Sequence, residues 1–520
     1  MPRIAFPRLL LFIALVASCA LHSAPRWRLL KAPHCELLSQ LPDDETRQWA
    51  AELERFVAAA RGLLVIDEEA LPDLTVVLFE TGQFGPYQPR DTSKRVRKDV
   101  GGIAGNGIIA IGNTRDRFRN RRILFHEATH WLLIGSRSSV PLWLNEGLAE
   151  ALSSFEPGPD FGTLGLSLGE HIDCLQSEVW VPWGEILGAT HNDPLYRDPE
   201  RVHQFYAESW LFVHRLLFLD PQNGAAALDR HSRTRLHGAN PTRAFSLAIE
   251  KDFELVEAQL QTYARKTRFT PRRLACPREI AVTGSFERAA AVDVETALAL
   301  IAVGARRFDT ALQHIERCRQ LKSVPSRAAE LLAISEDARN NASAAAVAAQ
   351  QAIELGSDVG YMRLLVADAS LDRELARTTT DEALRHLADP YLRVAGEKLR
   401  SADAYEGFAR VCVRLTAPTE EEVRTLIRGR EFFPDLAWPF VALAAVAHRR
   451  GDTKETQRLL ELALTRGEIT DRVRTPRTEN GNPPLVVEHI ARVEAHIESG
   501  RWAEAIGEFE ALLAVPIPKD

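Results

Sequence analysis

His126-Glu127-Ala128-Thr129-His130 lies inside the apolar stretch "ILFHEATHWLL", residues 123–133. On a helix, residues four apart share a face, so His126 and His130 can each offer a ring nitrogen to one metal ion. Glu127 stands about 100° further round at 3.6 residues per turn. It can reach a water at that metal without binding the metal itself. Ile123, Leu124, Phe125, Ala128, Trp131, Leu132 and Leu133 surround the three polar residues, so the helix is expected to be buried. Two imidazoles and a carboxylate are costly inside a buried helix unless something satisfies them, and a zinc ion is one such partner.

A second group follows. "PLWLNEGLAEAL", residues 141–152, reads as a helix entered at Pro141 that sets Glu146 and Glu150 four apart on one face. A catalytic zinc site takes three protein ligands and keeps one position open. Glu146 can complete such a set with His126 and His130. Glu150, one turn on, can accept a hydrogen bond from a ligand histidine and fix its tautomer. The chemistry expected of this set is hydrolysis. Zinc acidifies a water and polarises a carbonyl, and Glu127 takes the proton and hands it to the leaving group.

His126-Glu127-x-x-His130 followed by Asn145-Glu146-Gly147 resembles the gluzincin metallopeptidases. "WLNEGLAE" is especially similar to bacterial peptidase-MA-like domains, which are often exported and joined to helical repeats. The resemblance covers about residues 46–270, with its specific motifs in 123–150. It implies an α+β zincin-like catalytic domain, one Zn2+ per chain, and cleavage of a peptide or protein substrate. It gives Glu146 the role of third ligand, and Glu150 that of support to the first histidine. It implies an oxyanion donor from a later helix, for which Tyr206 in "FYAESW" is the candidate, with His203 and His214 behind it. It makes the strand at 107–112 the edge on which a peptide adds as a further strand, with Gly101, Gly102 and Gly105 allowing close backbone approach. The alternatives are a catalytically inactive, zinc-stabilised scaffold whose repeats bind partner proteins, and a zinc hydrolase acting on another bond. Intact Glu127 favours an enzyme over the scaffold, since a structural zinc has no use for a general base.

These residues need elements to hold them. Residues 46–62 read as an amphipathic helix, 74–80 and 106–113 as strands, and 120–134, 141–155 and 203–219 as helices. Strands followed by helices predict an α+β domain. From about residue 290 strand signals vanish and alanine and leucine dominate. The segments 301–321, 332–355, 442–464 and 490–513 share a helix–turn–helix layout with turns at Arg306, Gly451 and Gly500, and resemble tetratricopeptide repeats. Residues 360–435 do not align with them. The expected division is a lipoprotein-type signal peptide at 1–18, a linker at 19–45, and the metallopeptidase domain at 46–272. A second linker at 273–289 and an all-α, TPR-like helical-repeat domain at 290–515 complete it. The repeats are expected to dock a partner or substrate protein, and a chain cut after residue 285 to keep the metal site.

A chain of 520 residues exceeds one typical core, which agrees with two units. A net charge of −7 argues against nucleic acid as a partner. The basic runs "KRVRK" (94–98) and "RDRFRNRR" (115–122) read as a solvated loop and a helix lead-in. At the N-terminus, Arg3 and Arg8 precede "LLLFIALVA", an apolar run of signal-peptide length that is too short to span a bilayer comfortably. It ends in "VASC", which resembles a bacterial lipobox with Cys19 as the lipidated residue; an ordinary secretory signal would give the same export. The expected location is the bacterial cell envelope, as an outer-membrane or periplasm-facing lipoprotein held to the membrane by its lipid anchor. The six cysteines are far apart and show no Cys-x-x-Cys spacing, which argues against a cysteine zinc knuckle and a dense disulfide framework and leaves room for a single disulfide.

Overall fold

The computed structural model describes residues 27–515 except 65, 91–95, 97–100, 106, 137–139, 178, 192, 199–200, 220–223, 237–240, 251–252, 266–268, 279, 281, 398–399, 468 and 470–484. The signal segment and Cys19 lie outside the described residues. Nine strands are described: β1 (Arg28–Lys31), β2 (Glu36–Ser39), β3 (Thr75–Phe79), β4 (Gly102–Gly105), β5 (Ile108–Gly112), β6 (Glu156–Pro157), β7 (Phe161–Leu164), β8 (Arg272–Ala275) and β9 (Glu287–Arg288). Six of them form a mixed sheet in the order β4-β5-β3-β2-β1-β9. β5, β3 and β2 are parallel, while β4, β1 and β9 pair antiparallel to their neighbours. β6, β7 and β8 form a small antiparallel sheet.

The α+β part carries helices α1 (Asp43–Ala60), α2 (Arg117–Ile134), α3 (Leu142–Ser153), α4 (Gly169–Ser177), α5 (Trp183–Leu187), α6 (Pro194–Arg197), α7 (Val202–His214), α8 (Gly224–Leu236), α9 (Pro241–Ile249) and α10 (Phe253–Ala264). The centre of the sheet is apolar on both faces, as a strand covered on both sides must be. Leu37, Val76, Leu78, Ile109 and Ile111 join Trp49, Leu53 and Phe56 of α1 and Leu124, Phe125 and Leu132 of α2 in one core. Phe56 stacks on Phe125 at 4.7 Å between ring centres, which ties α1 to the metal-motif helix. The opposite face, with Leu38, Val77, Phe79, Ile108 and Ala110, packs on Val294, Leu298, Ile301 and Ala302.

Those last residues belong to the all-helical part. It comprises α11 (Ala291–Gly304), α12 (Phe308–Leu321), α13 (Arg327–Ala338), α14 (Ala342–Glu354), α15 (Gly360–Leu375), α16 (Asp381–Ala395), α17 (Ala402–Arg414), α18 (Glu420–Phe432), α19 (Trp438–Arg449), α20 (Thr453–Leu464), α21 (Leu485–Glu498) and α22 (Trp502–Ala514). Successive helices pack as hairpins. Arg306, Gly451 and Gly500 take left-handed φ values of 54°, 75° and 69° at the expected turns, and Asn340 and Gly356 do so at 61° and 91°. Within 360–435 the hairpins persist but the punctuation changes. The hydroxyls of Thr380, Ser401 and Thr419 cap α16, α17 and α18 by accepting a backbone N–H three residues on. Among the described residues of that stretch none takes the left-handed turn conformation, so it lacks the turn signal of the other segments.

The structure corrects the expected linkers. Residues 28–39 are two strands of the main sheet, and β9 at 287–288 pairs with β1 through Arg28↔Arg288 and Leu29↔Glu287. Strands of four and two residues are too short for a period to show. Nor does the site part company with the helices near residue 285, because α11 covers one face of its sheet. A second bridge forms where Arg400 bonds to Ser136 O and, at 3.1 Å, to Asp67. No described helix is long and apolar enough to cross a membrane, and no disulfide joins the described cysteines.

Candidate metal centre

Asp116 caps α2 by accepting the Arg119 N–H, and the apolar face of the helix then anchors it under the sheet. His126, Glu127 and His130 emerge on the other side and line one cleft. α3 starts after Pro141 and lies against α7. The contact runs through Gly147, where a Cβ would stand 2.7 Å from Val213 Cγ2 and closer still to Ser209 O. The glycine of the Asn-Glu-Gly motif is thus what lets α3 and α7 meet. That approach puts Glu146 of α3 and Tyr206 of α7 on the same cleft.

Three donor atoms converge. His126 Nε2 and His130 Nε2 are 3.1 Å apart. Glu146 Oε2 lies 3.6 Å from the first and 3.5 Å from the second. Ligands at the usual zinc distances of about 2.0–2.1 Å in a tetrahedron stand about 3.3 Å from one another. The second ring nitrogens are taken. His126 Nδ1 meets Glu150 Oε1 at 3.2 Å, and His130 Nδ1 meets Asn145 Oδ1 at 2.6 Å. With both Nδ1 atoms donating, both Nε2 lone pairs face the same point, an arrangement that calls for a cation or a proton between them. Glu146 Oε2 is buried without a hydrogen-bond partner, while Oε1 accepts from the Tyr196 hydroxyl at 2.9 Å. An orphaned carboxylate oxygen aimed at two imidazole lone pairs fits a divalent cation. Among the described residues, this trio is the one group of three that could hold a metal.

The electrostatics agree. Burial opposes the charged form of His126, but Glu146 and Glu150 outweigh it and hold the imidazole well above its ordinary pKa. Burial likewise opposes ionised Glu146 and Glu150. Glu146 is nonetheless held below the usual carboxylate range by His126 and His130, and Glu150 well below it by His171 and His126. The site is built to keep two carboxylates charged around one positive centre.

The remaining cleft wall comes from Ile103, Ala104 and Gly105 of β4, from Trp131 and Ile134 of α2, and from His191 and Tyr196, around a space of ≈ 540 Å³. Tyr206 lies in this wall, with its ring 6.2 Å from that of Tyr196. Burial, with Glu146 close by, raises both phenol pKa values, so both stay protonated and can donate.

The lesser histidine candidates fall outside the cleft lining. His203 is exposed. His214 is fully buried, donates through Nε2 to Gly165 O at 2.8 Å and accepts the Tyr263 hydroxyl on Nδ1; burial lowers its pKa to about 4, so it is a neutral core residue. The expected edge strand is also displaced. β5 is internal and β4 is the edge. At Gly101 a Cβ would stand 2.6 Å from Ile123 Cδ1, and Gly102 also abuts Ile123, so these glycines seat α2 against the sheet. Gly105 alone of the three opens onto the cleft. The run at 115–122 is partly committed to ion pairs: Arg117 and Arg121 with Glu52, and Arg122 with Glu150.

Sequence reasoning did not identify Asn145, Tyr196, His171 or Arg122. Asn145 sits inside the Asn-Glu-Gly motif, so its place beside a ligand was a usable signal. Tyr196 and His171 lie on separate short helices whose distance from the site in sequence carries none. No protein-family model matches the chain, and no curated protein matches it.

Proposed function

We propose that this chain is a zinc-dependent metallopeptidase of the gluzincin kind, with a zincin-like catalytic region and a TPR-like array that docks the protein it cleaves. The observation that carries the reading is the convergence of His126 Nε2, His130 Nε2 and an orphaned Glu146 Oε2 in a cleft that Glu127 also lines. His126, His130 and Glu146 would hold the ion. When bound, zinc supplies an acidified water and a Lewis acid for the scissile carbonyl. Glu127 accepts the proton of the attacking water and returns it to the leaving amine. Tyr206 donates a hydrogen bond to the developing oxyanion. Asn145 and Glu150 hold the two imidazoles in the Nδ1–H tautomer. Export, with a lipid on Cys19, belongs to the same proposal. It rests on "VASC" after the apolar run.

The test is metal analysis combined with hydrolysis of a mixed peptide library. The expected outcome is one zinc per chain, lost in His126→Ala, and cleavage that Glu127→Gln reduces by at least about 10²-fold while zinc stays bound. A zinc-loaded Glu127→Gln chain that cleaves as fast as its parent would overturn the proposal.

A further inference from the structure

His171 of α4 lies outside both sequence motifs, yet it reaches the carboxylate that orients the first metal-site histidine. Glu150 divides its two oxygens. Oε1 faces His126 Nδ1 at 3.2 Å. Oε2 takes His171 Nε2 at 2.9 Å and Arg122 Nη2 at 3.3 Å. The two Oε2 partners differ in kind. Arg122 is on α2 itself, one turn before His126, and its guanidinium is shared with exposed Glu170. A long side chain divided between two carboxylates fixes neither of them tightly. His171 comes from another element and has only two side-chain torsions. It is buried, flanked on α4 by buried Ile172 and Leu175, and its ring packs on Trp210 at 5.6 Å. The backbone and the core therefore hold this donor in place.

We propose that His171 is a positioning residue of the metal site. By donating Nε2–H to Glu150 Oε2 it keeps Oε1 turned to His126, which fixes the His126 Nδ1–H tautomer and directs the Nε2 lone pair at the point shared with His130 and Glu146. The relay runs His171, Glu150, His126. Without its first member, Glu150 is free to swing toward Arg122, and His126 loses its fixed tautomer. The effect on metal binding rests on the zinc reading above; the effect on the His126 tautomer does not, because it belongs to the metal-free chain.

The experiment uses the full chain with His171→Leu, His171→Gln and His171→Asn. Gln can place an amide donor near the imidazole Nε2 position; Asn is one carbon too short. Zinc dissociation constants come from competition with a chelator, and the His126 tautomer from ring 15N shifts of the metal-free, histidine-labelled chain at a pH above the raised His126 pKa, where the imidazole is neutral. His171→Leu is expected to weaken zinc binding by about 10–100-fold, the range for outer-shell partners, with Gln restoring most of it and Asn little. In the metal-free chain, His126 is expected to be a single tautomer in the parent and a mixture in Leu and Asn. Parental zinc affinity and a single His126 tautomer in a folded Leu variant would overturn the proposal. If Leu does not fold, equal behaviour of Gln and Asn would overturn it. A parent chain that binds no zinc sinks the metal reading instead, and the tautomer measurement then decides the role of His171 alone.

Discussion

Two tyrosines share the cleft, and their contacts assign them different work. Tyr196 donates to Glu146 Oε1, which leaves Oε2 as the single oxygen facing the histidines. Tyr206 lines the cleft beside Tyr196 without a described bond to the three metal-site residues. On the metallopeptidase reading, Tyr206→Phe lowers kcat by about 10²-fold, the usual loss for an oxyanion donor, and leaves zinc affinity unchanged. Tyr196→Phe does the converse and weakens zinc binding by about 10-fold through its effect on Glu146. Steady-state kinetics and chelator competition on both variants would separate the roles. Equal kcat losses with unchanged affinity would mean that the assignment is wrong. At this scale Glu127, His126, His130 and Glu146 were legible because helical spacing is a local property. Tyr196 and His171 were not, since nothing near them in the chain refers to the site.

At the scale of elements, the site depends on α3 and α7 lying close. Gly147→Ala inserts a methyl group against Ser209 O and Val213. The expected cost is about 1–3 kcal/mol of stability, the range for overpacking, with a loss of zinc affinity as Glu146 shifts. Urea unfolding and chelator competition would check both, and a variant as stable as its parent would show that the helices can separate freely. On the same α7, Glu208 is buried, accepts Val181 N and Gln204 Nε2 on Oε1, and has no partner for Oε2. Burial raises its pKa to about 7. A folded pKa above the unfolded value means stabilisation that is present at low pH and lost as pH rises toward 7. Glu208→Gln should therefore match its parent near pH 4.5 and exceed it by about 3 kcal/mol at pH 8, from about 1.4 kcal/mol per pKa unit. Urea melts in chelator at the two pH values give the answer. A constant difference would mean that the carboxyl does not titrate in this window.

For the whole molecule, the two parts share a sheet. A chain ending at residue 285 loses β9 and α11, which leaves Val77, Phe79, Ile108 and Ala110 without their cover. Exposed apolar area loses about 25 cal/mol per Å2, and this face is buried in the full chain. That chain should bind hydrophobic dyes and melt without cooperativity. A chain ending after Lys322 keeps α11 and α12 and should melt sharply at a higher temperature. Circular dichroism melts compare the two, and coincident melts would show that the sheet needs no cover. From α15 on the array has its own core, from Leu364 to Leu513, so the docking role proposed for it is separable from support of the sheet.

The sequence alone determined what depends on neighbours along the chain. A helix sets His126 and His130 on one face, a second helix carries Glu146 and Glu150, and left-handed turns fall at Arg306, Gly451 and Gly500. Short, β-branched apolar runs marked β3 and β5 for the same local reason. The tertiary structure decided everything that depends on closure over distance. It set which strand is the edge, that Gly101 and Gly102 seat a helix, that residues 28–39 belong to the sheet, and that α11 covers its second face. It also brought His171 and Tyr196 to a site that their own segments do not announce. Short strands and lone polar residues carry no period. Their places are set by pairing and packing with partners tens to hundreds of residues away, and those energies are not written in any local stretch of the chain.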